Sequence, residues 1–136
     1  MRKPVIAALL AGLYAFPPAF AETEVDPAVL KAAEPLAGVY IFARNPEDNV
    51  TCLLYLEGKP DYTTMRAWVQ AGCETQIFWM SDFSGWMPLE AGGVRLFGAE
   101  LTPLMDFKPG KDGVLTTVSE NDGKTYTLKR APWVKD

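Results

Sequence analysis

Two cysteines, three serines and no histidine limit the chemistry open to this chain. Histidine is the usual general base, the usual proton shuttle and the commonest metal ligand. Without it, no Ser-His or Cys-His pair can form around Ser81, Ser84, Ser119, Cys52 or Cys73. Zinc sites built on imidazole are excluded for the same reason. The reactive groups that remain are mostly carboxylates. Glu47-Asp48 and Glu120-Asp122 cluster, but both fall in turn-like sequence and lack the spacing of a calcium loop. They read as solvated turn residues, and nothing specific supports a glycosidase-like carboxylate pair. No phosphate-cradling loop, dinucleotide fingerprint or Gly-x-Ser-x-Gly elbow is present. Seventeen acidic against 13 basic residues give a net charge of −4, which suits neither DNA nor RNA. The expectation is a binding protein, not an enzyme.

The first residues read as an export signal. Arg2 and Lys3 form a positive start, and Val5 to Phe16 is an apolar run. Pro17-Pro18 break the run, and Ala19-Phe20-Ala21 is a small-x-small cleavage pattern. As a helix, the run would measure about 18 Å, too short for a membrane core of about 30 Å. No cysteine follows it until Cys52, so there is no lipoprotein attachment site here. Cleavage is expected after Ala21, which takes 21 of 136 residues and leaves 115, beginning Glu22-Thr23-Glu24-Val25-Asp26. Loss of Arg2 and Lys3 moves the net charge from −4 to −6. In an oxidising compartment, Cys52 and Cys73 are expected to form a disulfide. A redox pair or a metal site is the alternative, but the spacing is not Cys-x-x-Cys and no other soft ligand stands out.

These groups need elements to position them. Asp26 before Pro27 reads as a helix N-cap with proline at the first helical position. Residues 28–33 continue that helix, and Pro35 stops it. Beyond it, the chain turns to short segments rich in Val, Thr, Tyr, Phe and Trp, separated by turn signals. Eight strands are expected, near 38–44, 50–57, 63–70, 85–89, 94–97, 101–107, 114–120 and 124–130. A short extra element is expected at 76–80. Val50, Cys52, Leu54 and Leu56 share one apolar face of the second strand, and Met65, Ala67 and Val69 one face of the third. Gly92-Gly93 reads as a tight hairpin. So many short strands point to an antiparallel up-and-down barrel, with a sandwich as the alternative. Such a barrel is either filled by side chains or holds one small ligand, as a lipocalin-like barrel does. The dense aromatic stretch Phe78-Trp79-Met80, Phe83 and Trp86-Met87 reads as core or as a closure of one barrel end, with a partner surface as the alternative.

In their order and spacing, these features resemble the bacterial metalloprotease inhibitors of the Inh type, which include the alkaline-protease (serralysin) inhibitors. The short helix is followed by Gly38-Val39-Tyr40, where the family usually has Gly-x-Trp. Cys52-Leu53-Leu54 and Gly72-Cys73 look like its two cysteine segments. Trp86, Val94-Arg95-Leu96, Met105-Asp106-Phe107, Gly113-Val114-Leu115 and Tyr126-Thr127-Leu128-Lys129-Arg130 follow in order. The resemblance spans about 33–130. It implies a compact all-β, eight-stranded antiparallel up-and-down barrel with a short N-terminal helix and one disulfide, Cys52–Cys73. It divides the chain into a cleaved signal peptide (1–21), an inhibitory segment with its helix (22–36) and a barrel domain (37–136). It also implies a periplasmic or secreted monomer. Its partner would be a secreted zinc metalloprotease of the serralysin type, with no nucleic acid, no stable membrane insertion and no cofactor or metal of its own. Glu22, Thr23, Glu24, Val25 and Asp26 would enter the protease cleft. The Glu22 amine, titrating near about pH 8, and its carboxylate can approach the protease zinc. Val25 can fill an apolar subsite. The family segment commonly begins with small and apolar residues, whereas this one is acidic; the alternatives to inhibition are a small-ligand-binding, lipocalin-like barrel and a non-inhibitory envelope module of the same fold.

Overall fold

The computed structural model describes residues 25–44, 50–73, 77–120 and 122–132. The expected signal peptide, Glu22 to Glu24 and residues 45–49, with the pair Glu47-Asp48, lie outside the described residues. A helix, α1 (Pro27–Ala33), leads through a 3-10 turn (Glu34–Leu36) into eight strands. These are β1 (Gly38–Arg44), β2 (Val50–Asp61), β3 (Thr64–Val69), β4 (Gly85–Pro88), β5 (Val94–Phe97), β6 (Pro103–Pro109), β7 (Leu115–Val118) and β8 (Thr125–Arg130). Each strand pairs antiparallel with the next, and β1 closes the barrel on β8 from Tyr40↔Arg130 to Arg44↔Tyr126. The fold is therefore the up-and-down barrel, not the sandwich.

Alternation along the strands decides what lies inside. Tyr40 and Phe42 of β1, Cys52, Leu54 and Leu56 of β2, Val94 and Leu96 of β5, Met105 and Phe107 of β6, and Tyr126 and Leu128 of β8 are all buried. Phe42 stacks on Tyr126 with ring centroids 5.3 Å apart and meets Phe107 edge-on at 6.2 Å. Trp86 of β4 is fully buried, and its Nε1–H donates to the Glu57 carbonyl at 3.0 Å. Leu54, Leu56 and Leu96 belong to this single cluster and line none of five hollows among the described residues, whereas Val69 packs partly against the cluster and borders one hollow together with Trp68.

Topology assigns the two ends. The β2–β3, β4–β5 and β6–β7 turns lie at the end where α1 enters. The β3–β4, β5–β6 and β7–β8 turns lie at the other. At that other end, Cys52 and Cys73 are bonded with Cα atoms 5.8 Å apart. The bond fastens the long β3–β4 connection, from which Ile77 and Met80 enter the core. The connection is also pinned through Gln70: its N–H donates to the Leu53 carbonyl at 2.9 Å, and its Oε1 accepts from the Leu53 N–H at 3.1 Å.

Three boundaries differ from expectation. The first is β2, which runs on past its expected end at residue 57 to Asp61, through the turn-forming residues Gly58-Lys59-Pro60-Asp61. Its ladder with β3 shifts register between Leu56 and Pro60, and that bulge accommodates a proline within a strand. The second is β6, which starts at Pro103, because residues 99–101 form a turn. That turn and those at 90–92 and 111–113 are built alike. Ala91 and Gly92, Glu100 and Leu101, and Asp112 and Gly113 all have positive φ, the type I′ signature. The turns are closed by Gly93 N–H to Glu90 O, Thr102 N–H to Ala99 O and Val114 N–H to Lys111 O. The pair Glu100-Leu101 contains no glycine or asparagine, so nothing in the residues announced it. Gly93 follows the turn pair instead of forming it. A Cβ there would come 2.6 Å from the Phe107 carbonyl, so the close approach of β6 demands glycine. The third is β7, which is shorter than expected and covers Leu115–Val118.

Two outcomes are expected from these features. Replacing both cysteines by serine should lower unfolding free energy by about 3 kcal/mol, the chain-entropy value for a loop of this size; denaturant melts measure it. Glu100→Asn with Leu101→Gly should raise stability by about 1 kcal/mol, because both residues then suit positive φ. A lower melting temperature for that double variant would contradict the strain argument.

Candidate functional site

The N-terminal lead and its anchorage form the candidate site. Asp26 is extended, and its Oδ1 accepts from the Ala28 N–H at 2.7 Å, the N-cap expected of Asp-Pro. Ala33 is fully buried, while Val29, Leu30, Leu36 and Ala37 pack in part against the core. This places α1 across the barrel end, in contact with β2 and β4.

The exit from the helix is held by two side chains from the closing strands. The Tyr40 hydroxyl donates to the Leu36 carbonyl at 2.5 Å. Arg130 donates through Nη1 to the Ala37 carbonyl at 2.8 Å and through Nη2 to the Pro35 carbonyl. Its guanidinium carbon lies 5.0 Å from the centroid of the Tyr40 ring. Three successive carbonyls that a helix end leaves without intrahelical partners thus find donors. The Ala131 N–H adds a bond to the Val39 carbonyl at 3.0 Å. Sequence reading missed this clamp. The available signal was parity: Arg130 shares a strand face with Tyr126 and Leu128, and a charge on an apolar face must find partners.

The five expected probe residues divide at Val25. Val25 is only 7% exposed and belongs to the core cluster, and Asp26 is engaged as the cap. Glu22, Thr23 and Glu24 precede this anchor and lie outside the described residues. The same barrel end carries two open hollows. One, lined by Leu30, Lys31, Glu34, Gly58 and Pro60, separates α1 from the β2 bulge. The other lies between the β4–β5 turn and the end of β6, around Leu89, Ala91 and Pro109.

The other candidates have structural roles. Asp122 accepts from the Lys124 N–H at 2.9 Å and from the Tyr126 hydroxyl, so it staples the β7–β8 turn. Asp106 and Arg95 make a two-bond pair, each bond 2.7 Å long, across the outer face of β5 and β6. The Arg95 hydrogen bond holds the Asp106 carboxyl below the usual carboxylate range, against a smaller opposing effect of burial. Among the described residues, no three of Cys, Asp and Glu come together as a metal site. In the aromatic stretch, Met80 and Trp86 are buried, and Phe83 and Met87 pack partly on the core. The side chains of Phe78 and Trp79 lie outside the description.

Arg130→Met should release the turn at 34–37 at a cost of about 2 kcal/mol, since its bonds are charge-assisted. Hydrogen exchange should quicken at amides 28–37 while β5 and β6 stay protected. Unchanged exchange at those amides would remove the clamp from the account.

Compared with known proteins, the chain matches no family model, and no curated protein sequence matches it significantly.

Proposed function

We propose that the protein is an exported inhibitor of a secreted zinc metalloprotease of the serralysin type, acting by insertion of its N-terminal segment into the protease cleft. The observation that carries this reading is the anchorage of the lead. Val25 is packed into the core, Asp26 caps α1, and Tyr40 and Arg130 hold the helix exit. A segment ahead of such an anchor starts from a fixed point, so little of the support's conformational entropy is lost on binding. The cysteine pair, the barrel and the order of motifs that resemble Inh-type inhibitors agree with this reading.

The anchorage also refines the mechanism. With Val25 packed into the core and Asp26 engaged as the helix cap, the inserting part is Glu22 to Glu24. The Glu22 amine and carboxylate are the groups offered to the protease zinc, and Thr23 and Glu24 span the cleft entrance. The barrel end, with its two hollows, rests on the rim. The burial of Leu54, Leu56 and Leu96 in one apolar cluster weighs against a small-ligand carrier.

The test compares protein beginning at Glu22 with protein beginning at Val25. Loss of residues 22–24 should weaken inhibition of a serralysin-type protease at least about a hundredfold, equal to about 2.7 kcal/mol. The thermal melt should not change. Full inhibition by the shortened protein, or none by the longer one, would overturn the proposal.

A further inference from the structure

We infer that the outer face of β3 carries a binding site for a pyranose ring, built on Trp68. This site is independent of the inhibitory reading.

Trp68 is 46% exposed although its indole is held on two sides. Tyr55 of β2, its cross-strand partner, stacks on it at 3.6 Å between centroids and 4° between planes. Its Nε1–H donates to Glu57 Oε2 at 2.7 Å. The same carboxylate oxygen lies 3.7 Å from Arg66 Nε. An exposed tryptophan normally loses rotamer freedom when something binds to it. Here that loss is already met in the free protein.

Tyr55 covers the ring on the β2 side of β3. Trp68 also borders a hollow of about 380 Å³ whose other walls include Val69, Ala71, Met80, Ser81 and Phe83. Apolar side chains and polar atoms share its lining. Ser81 is an exposed polar residue of its wall, and Ala71 brings in the exposed turn at Gln70-Ala71-Gly72. An indole face is electron-rich and its edge electron-poor. A pyranose matches both parts: the C–H bonds of one face meet the indole, and the hydroxyls at its edge meet the rim. A size of this order is at the small end of ligand pockets.

Other occupants fit less well. A cationic head group would need an uncompensated carboxylate beside the ring, but Arg66 stands at Glu57. A nucleotide would need cations for its phosphates, and the chain is acidic. An apolar side chain of a protein partner would need a broad apolar surround, but Arg66, Gln70, Ser81 and Asp82 stand exposed there.

The test uses ¹⁵N-labelled full mature protein and follows the indole N–H signal of Trp68. The probes are soluble β-1,4-linked tetramers of glucose and of N-acetylglucosamine. At least one should shift that signal saturably. Ala71→Arg, which fills the hollow and leaves the Tyr55 stack in place, should weaken binding at least about tenfold. Trp68→Ala should abolish it, followed at the Ser81 amide. Removal of residues 22–24 should leave it unchanged. No saturable shift with either tetramer, or equal binding by the Ala71→Arg protein, would overturn the proposal. So would saturation by a proline-rich peptide with no response to the sugars.

Discussion

A closed barrel has no free strand edges, but it has two open ends, and each must be sealed by chain that is not strand. Much of this molecule follows from that requirement. The interior is apolar from Tyr40 and Phe42 to Leu128, so water at either end would wet the core. One end is sealed by α1, with Val25 and Ala33 turned into the cluster. The other is sealed by the β3–β4 connection, with Ile77 and Met80. Each seal has its own fastening. The helix relies on donors from Tyr40 and Arg130, and the connection on the Cys52–Cys73 bond.

The fastening at the helix end ties the closing of the sheet to the placing of the helix. Tyr40 and Arg130 are themselves a cross-strand pair where β1 meets β8. The contact that closes the sheet therefore also sets where the N-terminal lead departs. In the inhibitory reading, the barrel's closure and the aim of the segment rest on the same two residues. This gives a physical reason for building a short segment onto a barrel instead of leaving it on a free tail.

Much of the fold could be read from residues alone, because two strong local signals dominate. Asp26-Pro27 marks the helix start, and period-2 alternation marks β1, β2 and β8. The errors fall where local chemistry and the final structure disagree. Gly58 to Asp61 carries turn residues, yet the bulge after Leu56 keeps the segment in the sheet. Glu100-Leu101 has no turn residues, yet hairpin twist forces both into positive φ. The candidate site was less legible. Only the resemblance to Inh-type inhibitors singled out residues 22–26, and the burial of Val25 depends on the distant strands of the core it packs into. The Tyr40–Arg130 clamp depends on residues about ninety positions apart, beyond any local pattern.

The closing ladder has a kinetic side as well. Seven of the eight ladders join strands adjacent in sequence, and the type I′ turns let hairpins form locally. Only β1 with β8 spans nearly the whole domain. The entropy of long-range loop closure is therefore concentrated in one step, which local pairing can precede. Until β8 arrives, β1 and β7 are bare edges able to pair with other chains. In a barrel built this way, the strand of the barrel that is synthesised last is also the one that removes its bare edges.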